Sequence, residues 1–322
     1  MDPRNDTLSL PVIRVGEIPP EEAPRRWLVE GLWGAAAVGL LGGAPKSCKS
    51  WLGLDLAVSV ASGTACLRSY KVHEPGPVLI YLAEDSLSTV RERVCGIGHS
   101  RALELSGLDL HVITSPSLRL DSCADRGRLL KTAQRIRPRL LLLDPLVRLH
   151  SADENNATEM AQLLSYFRDL QRELDLAILL IHHTRKYVPN GAQAGQGLRG
   201  SSDLHAWGDS NLYLRRTKEV LWLSMEHRAA QAPHPVTLEL VTSDNEATHL
   251  EVSRRILQEQ SDPSSGLEEA IVRELGKVAA LRRSELRQLL AVNNERLGEA
   301  LSALEKGGKI EHGPKGWQRK ET

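Results

Sequence analysis

Five short, nearly continuous apolar runs alternate with stretches of helical spacing over the first 183 residues of a 322-residue chain. The runs are AAAVGLL (35–41), PVLIYLAED (77–85), LDLHVIT (108–114), RLLLLDP (139–145) and LAILLIHH (176–183). Between them lie KSWLGLDLAVSVASG, with Leu52, Leu56 and Val60 on one helical face, then LSTVRERVCGIG, RGRLLKTAQRIR and the amphipathic ATEMAQLLSYFRDLQREL. Strands that are apolar on both faces belong in a parallel sheet covered by helices on each side. The pattern therefore predicts an α/β fold with a mostly parallel sheet. NLYLRR, VLWLSME, VTLELV and HLEV follow as β-type stretches with polar connections, and predict an antiparallel extension of that sheet.

The remaining segments divide the chain. Residues 1–25 are polar and Pro-rich and read as a surface arm. The α/β domain spans 26–257, and YVPNGAQAGQGLRGSS within it reads as a Gly-rich loop. QEQSDPSSG (258–266) reads as a linker, and 267–322 as a small helical domain. There LEEAIVRELG, SELRQLLAV and NERLGEALSALEKGG predict three helices, and IEHGPKGWQRK a β-turn-β wing. Three helices and a wing is the winged helix-turn-helix pattern, with 294–306 as its recognition helix. Lys306, Lys309, Lys315, Arg319 and Lys320 against Glu311 and Glu321 make the wing locally basic. The chain as a whole is neutral, with 41 basic and 41 acidic residues, so any pull on nucleic acid must come from such local patches. Cys48, Cys66, Cys95 and Cys123 are scattered without a CxxC pair, which argues against a disulfide framework or zinc site and fits a reducing cytoplasm. The N-terminus has no signal-peptide pattern. No apolar run approaches the ~20 residues needed to cross a bilayer, so no membrane partner is expected.

The stretch joining the first strand to the first helix carries the chemistry. In GGAPKSCKSWL, Gly43 is followed by four residues and then Lys49 and Ser50 at a strand-to-helix turn. Backbone N–H groups at such a turn converge on phosphate oxygens, a lysine reaches the β and γ phosphates, and a hydroxyl binds Mg²⁺. The predicted binding stretch is Gly43, Ala44, Pro45, Lys46, Ser47, Cys48, Lys49, Ser50 and Trp51. Position 48 is normally a second glycine. A left-handed backbone at this cysteine would cost about 1–2 kcal/mol, which lowers stability without abolishing binding. A decayed loop is disfavoured because the acidic partners are kept. Asp144, ending a four-leucine strand, is placed to hold Mg²⁺ through water. Glu84, at the end of the second run, is placed to polarise the attacking water, although an N-cap role for this segment is the alternative. Of His182 and His183, one is expected to contact the γ-phosphate and the other to point away. Asp55 and Asp109 read as structural.

With these residues in hand, the chain resembles the RecA-like ATPases, and within them the RepA group of hexameric replicative helicases of plasmids and other mobile elements. The matching stretches are RRWLVEGLW…VGLLGGAPKSCKSWLGLDLA, VLIYLAEDS…RERV, LLLLDPLVRL, LLIHHTRK and LRGSS, across roughly residues 25–215. The resemblance implies a self-assembled ring, usually a hexamer, with ATP and Mg²⁺ at subunit interfaces. It implies a basic residue completing a neighbour's site. Arg199 is the candidate, with Arg215 and Arg216 as competitors, and a phosphate or carboxylate contact within its own subunit as the alternative role for Arg199. It also implies that the loop after the sensor strand touches DNA, with Arg185 and Lys186 at its base, although its tip is not basic. DNA would be single-stranded in the ring and duplex at the winged helix, where Lys315 and Arg319 are candidate contacts.

The expected activity is thus that of an ATP-dependent helicase or translocase serving replication of a mobile element. The alternatives are a nucleotide-switched DNA-binding regulator, and a defence or loader ATPase with slow hydrolysis whose tail binds protein.

Overall fold

The computed structural model describes residues 12–18, 27–154, 156–183, 202–217, 220–243, 247–253, 263–278, 280–290, 292, 294–313 and 316–320. The chain divides into two compact units, Met1–Val252 and Ser253–Thr322.

The first unit is built on a nine-stranded sheet of order β11-β10-β9-β8-β3-β7-β6-β4-β5. Its parallel part comprises β3 (Val38–Gly43), β4 (Val78–Leu82), β5 (Leu110–Val112), β6 (Leu140–Asp144) and β7 (Ala177–His183). The strand β8 (Ser210–Thr217) joins β3 in parallel. From β8 the sheet continues antiparallel through β9 (Val220–His227), β10 (Val236–Thr242) and β11 (Thr248–Val252). The mostly parallel sheet and its antiparallel extension are as the apolar runs require.

Each central strand serves two cores by its two-residue period. Leu140 and Leu142 of β6, with Ala177, Leu179 and Ile181 of β7, pack in the cluster holding helix α1 (Lys49–Ser62) and helix α2 (Leu87–His99). Leu141, Leu143, Ile178 and Leu180 pack on the other face, with α3 (Cys123–Ile136) and α4 (Ala157–Leu174). Helix starts follow local chemistry. Ser86 caps α2 by accepting from Thr89 N, and Asn156 caps α4 by accepting from Thr158 N and Glu159 N.

Several boundaries differ from the sequence reading. The first apolar run enters the sheet only at Val38, because Ala36 is left-handed (φ 47°) and turns the chain. Ahead of it, β1 (Trp27–Val29) and β2 (Trp33–Gly34) form an unpredicted antiparallel pair. Helix α5 (Ser202–Trp207) is equally unpredicted. Of the N-terminal arm, the described part is an exposed segment with a single 3₁₀ turn, Val15–Glu17. Gly39 permits the close approach of β8. A Cβ there would lie 1.7 Å from Ser210 O.

The second unit contains α6 (Pro263–Leu275), α7 (Arg283–Leu290), α8 (Asn294–Lys306) and an antiparallel hairpin of β12 (Ile310–Gly313) and β13 (Gly316–Arg319). Its core is Leu267, Ile271, Leu275, Leu286, Leu297, Leu301, Leu304 and Ile310, at helical spacing. Leu281 pairs with Trp317 and adds a third backbone segment to the hairpin. Helix α6 starts at Pro263, inside the stretch that reads as linker. Proline suits a first helical turn, where its missing N–H costs nothing. Among the described residues, no helix is long and apolar enough to cross a membrane.

Candidate functional site

The parallel strands all end on one edge, and their register fixes what gathers there. Gly43 pairs with His183 on one side and Leu214 on the other, and Leu82 pairs with Asp144. β7 separates β3 from β6. Residues 44–48 bridge from that edge into α1.

Within the bridge, Lys46 and Cys48 are left-handed, with φ 62° and 64°. Cys48 is the residue before α1, and its carbonyl accepts from Leu52 N at 3.0 Å. The expected strain at this cysteine is therefore real. Its half-buried thiol packs on the core beside α1 and lies 3.7 Å from Arg216 Nη2. Cys48→Gly should stabilise the fold by about 0.5–1 kcal/mol. That is the difference between the left-handed cost of a Cβ and the extra unfolded-state entropy of glycine. Cys48→Val should destabilise by roughly 2 kcal/mol, since a β-branched side chain is least tolerant there. Chemical unfolding checks both. A Cys48→Gly variant less stable than the parent contradicts the strain argument.

Gly43 must lack a side chain. A Cβ would meet Ser47 Oγ at 2.6 Å and Leu214 O at 2.8 Å. Ala44, Pro45 and Lys46 are exposed. The Ser47 hydroxyl is buried and has no hydrogen-bond partner among the described residues. Lys49 is buried and folds back on the loop, with Nζ donating to Gly43 O at 3.0 Å and Ala44 O at 2.8 Å. Burial lowers its pKa, opposed by the negative charges of Asp144 and Glu84 and by Cys48. Trp51 is half-buried against the same core, with the Arg93 guanidinium 5.6 Å above its ring.

Ser50 Oγ donates to Asp144 Oδ2 at 2.6 Å, across the intervening β7. Asp144 is 8% exposed. Burial pushes its pKa up to about 6, with Asp85 and Glu84 adding to the rise and Ser50 and Lys49 opposing it. Glu84 lies just past β4 and is exposed, with Oε1 accepting from Arg148 Nε at 2.7 Å. The N-cap role belongs to Ser86, not to Glu84.

The strand period separates the two histidines. His183 shares the face of Ala177, Leu179 and Ile181, on the α1 side, and is half-buried beside Gly43. His182 is buried on the other face, with Nδ1 3.7 Å from Glu154 Oε1. Asp55 is buried against Arg101, and Asp109 is paired with His111 at the surface.

Arg215 and Arg216 are exposed at the end of β8. Arg216 lies at its own chain's Cys48. Arg185, Lys186, Arg199 and Lys315 lie outside the described residues. Arg319 is exposed on β13. Sequence reasoning missed Arg148, which follows Asp144 closely in the chain but reveals its carboxylate partner only through strand pairing.

Many solved structures resemble the chain, three of which illustrate the likeness. One, an ATPase domain, matches with a TM-score of 0.52 at 14% identity, over 67% of this chain and 84% of that one. The RadB recombinase matches with a TM-score of 0.50 at 15% identity, over 68% and 92%. A DnaB-like replicative helicase, solved with its interactions with primase, matches with a TM-score of 0.51 at 14% identity, over 65% of this chain and 56% of that helicase. These likenesses show a shared fold, an α/β core on a mostly parallel sheet. The family model described as AAA domain matches residues 4–187, more than half of the chain, which therefore belongs to the AAA domain family.

Proposed function

We propose that the chain is an Mg²⁺-dependent ATPase of the RepA helicase group that works as a ring on DNA. The observation carrying this reading is the pair Ser50 Oγ–Asp144 Oδ2, held at 2.6 Å beside a buried Lys49. Two oxygen donors, one of them a buried carboxylate, suit Mg²⁺, which keeps several waters and takes few protein ligands. The buried Ser47 hydroxyl, without a hydrogen-bond partner among the described residues, also fits a bound phosphate, and Gly43 gives it room, since a Cβ there would meet it at 2.6 Å. When bound, Mg²⁺ neutralises charge on the β and γ phosphates. Lys49 exchanges its two loop carbonyls for phosphate oxygens. Glu84 would accept a hydrogen bond from the water aligned with the γ-phosphate and take its proton as the new P–O bond forms and the bond from the γ-phosphorus to the β,γ-bridging oxygen breaks, ADP leaving with that electron pair. His183, on the α1 face, senses the γ-phosphate, while His182 buttresses the strand end. Arg199 is the basic residue given to a neighbouring subunit. Arg216 is the weaker candidate, because it sits in its own subunit's cradle.

The second unit is read as a winged helix, with α8 as recognition helix and the hairpin as wing. Lys315 and Arg319 would contact duplex phosphates, and Arg185 and Lys186 single-stranded DNA in the channel. The likeness to the core of a replicative helicase supports ring assembly and DNA as partners.

The test is ATP turnover with and without single-stranded DNA, beside native mass measurement with ATP and Mg²⁺. DNA-stimulated turnover in a multi-subunit ring is expected. Slow, unstimulated hydrolysis with site-specific duplex binding would replace the helicase reading by that of a nucleotide-switched regulator. Salt-insensitive binding of the tail to protein would point to a loader, because phosphate contacts weaken steeply with salt.

A further inference from the structure

Glu84 and Arg148 follow neighbouring strands. Ala83 N donates to Asp144 O at 2.7 Å, so the backbone just before Glu84 is tied to the end of β6. Arg148 ends the 3₁₀ turn Leu146–Arg148, which is anchored by buried Leu146 and Leu149 and closed by Leu149 N donating to Leu146 O at 2.9 Å. Both backbones are therefore fixed, while the side chains meet at the surface, 49% and 62% exposed. Arg148 Nε donates to Glu84 Oε1 at 2.7 Å. Glu84 Oε2 and the two terminal guanidinium nitrogens have no hydrogen-bond partner among the described residues.

An ion pair this exposed contributes little to stability. Its consequence lies in geometry. Glu84 stands on a loop residue outside any helix or strand. Left alone, its carboxylate would sample several rotamers and offer either oxygen to a water. The guanidinium selects one rotamer by occupying Oε1, and leaves Oε2 open.

We propose that Arg148 is a positioning residue for Glu84, holding one carboxylate oxygen so that the other faces the attacking water. The proposal rests on the reading of Glu84 as the base. Arg148 does not touch the phosphates in this role. It acts through the orientation of its partner, so its loss is felt in turnover and not in nucleotide affinity.

Four variants of the full chain test this. Arg148→Ala should lower kcat roughly 10- to 100-fold, the scale of a misoriented catalytic group. Binding of a non-hydrolysable ATP analogue, measured by calorimetry, should stay within about twofold of the parent, since ground-state contacts are untouched. Arg148→Lys keeps the charge without the planar fork and should recover part of the lost rate. Glu84→Gln should lose about 10²–10⁴-fold. The double variant Arg148→Ala, Glu84→Gln should be no slower than Glu84→Gln alone, because Arg148 has nothing left to orient. Parent-like turnover in Arg148→Ala, or losses that multiply in the double variant, would overturn the proposal. Parent-like turnover in Glu84→Gln would overturn the base assignment as well. A melting curve for Arg148→Ala matching the parent, as its exposure requires, separates a rate effect from misfolding.

Discussion

Replacing Lys49 with alanine is expected to cut ATP turnover at least about a hundredfold while leaving the fold in place, the usual effect of deleting a donor aimed at developing phosphate charge. The ammonium lies at the start of α1, where backbone dipoles already favour an anion. Burial has stripped much of its water, and the loop carbonyls of Gly43 and Ala44 replace that water. These are neutral acceptors, so exchanging them for phosphate oxygens is favourable. The fold survives because water takes over the hydrogen bond at exposed Ala44, and the Gly43 carbonyl is the single buried group that loses this partner. Steady-state hydrolysis beside calorimetry checks the prediction. Turnover within about threefold of the parent would remove Lys49 from transition-state stabilisation altogether.

The largest stability loss is expected at Arg101, away from the nucleotide edge. Arg101→Ala should destabilise the first unit by about 3–5 kcal/mol, the range for breaking one partner out of a buried pair. Arg101 Nη2 lies 2.5 Å from Asp55 Oδ2, with side chains only 5% and 1% exposed. Its Nη1 donates to Ser59 Oγ at 2.8 Å and Thr64 Oγ1 at 3.1 Å, and Asp55 Oδ1 accepts from Leu67 N at 2.7 Å. One guanidinium thereby joins the middle of α1, the turn after it and the segment following α2. The Cys66 thiol shares this site, its pKa driven up by burial and by Asp55. Removing the guanidinium leaves a carboxylate with no counter-charge and no access to water. Urea unfolding should show the loss. The double variant Asp55→Asn, Arg101→Met should regain much of it, since a buried pair replaced as a whole costs far less than one that is halved. A loss below about 1 kcal/mol in Arg101→Ala would place the pair among ordinary surface contacts.

The sheet is legible in the sequence wherever apolar runs have strand length. It is not at β1 and β2, which are short and carry their signal in Trp27 and Trp33, nor is α5, hidden behind a glycine-rich stretch. Pro263 reads as loop punctuation although it opens a helix. The site divides in the same way. Lys49 and Ser50 follow from local spacing, and Asp144 from its place at a strand end. Arg216 reaches Cys48 from 168 residues away. Arg148 meets Glu84 across 64. Such pairs depend on strand order, which no local pattern encodes. Even the two adjacent histidines need the observed faces of β7 to be told apart.

The position of β7 has a mechanical consequence. It pairs with β3 from Ile178 to His183 on one side and with β6 from Ala177 to Leu180 on the other. Tension on the His183 end would load the β3 ladder first and reach the β6 ladder only through Leu180, with no hinge needed to relay it. A pull at that end is thereby geared to the strand ending in Gly43 and then to the strand ending in Asp144, like a rod driving two wheels in turn.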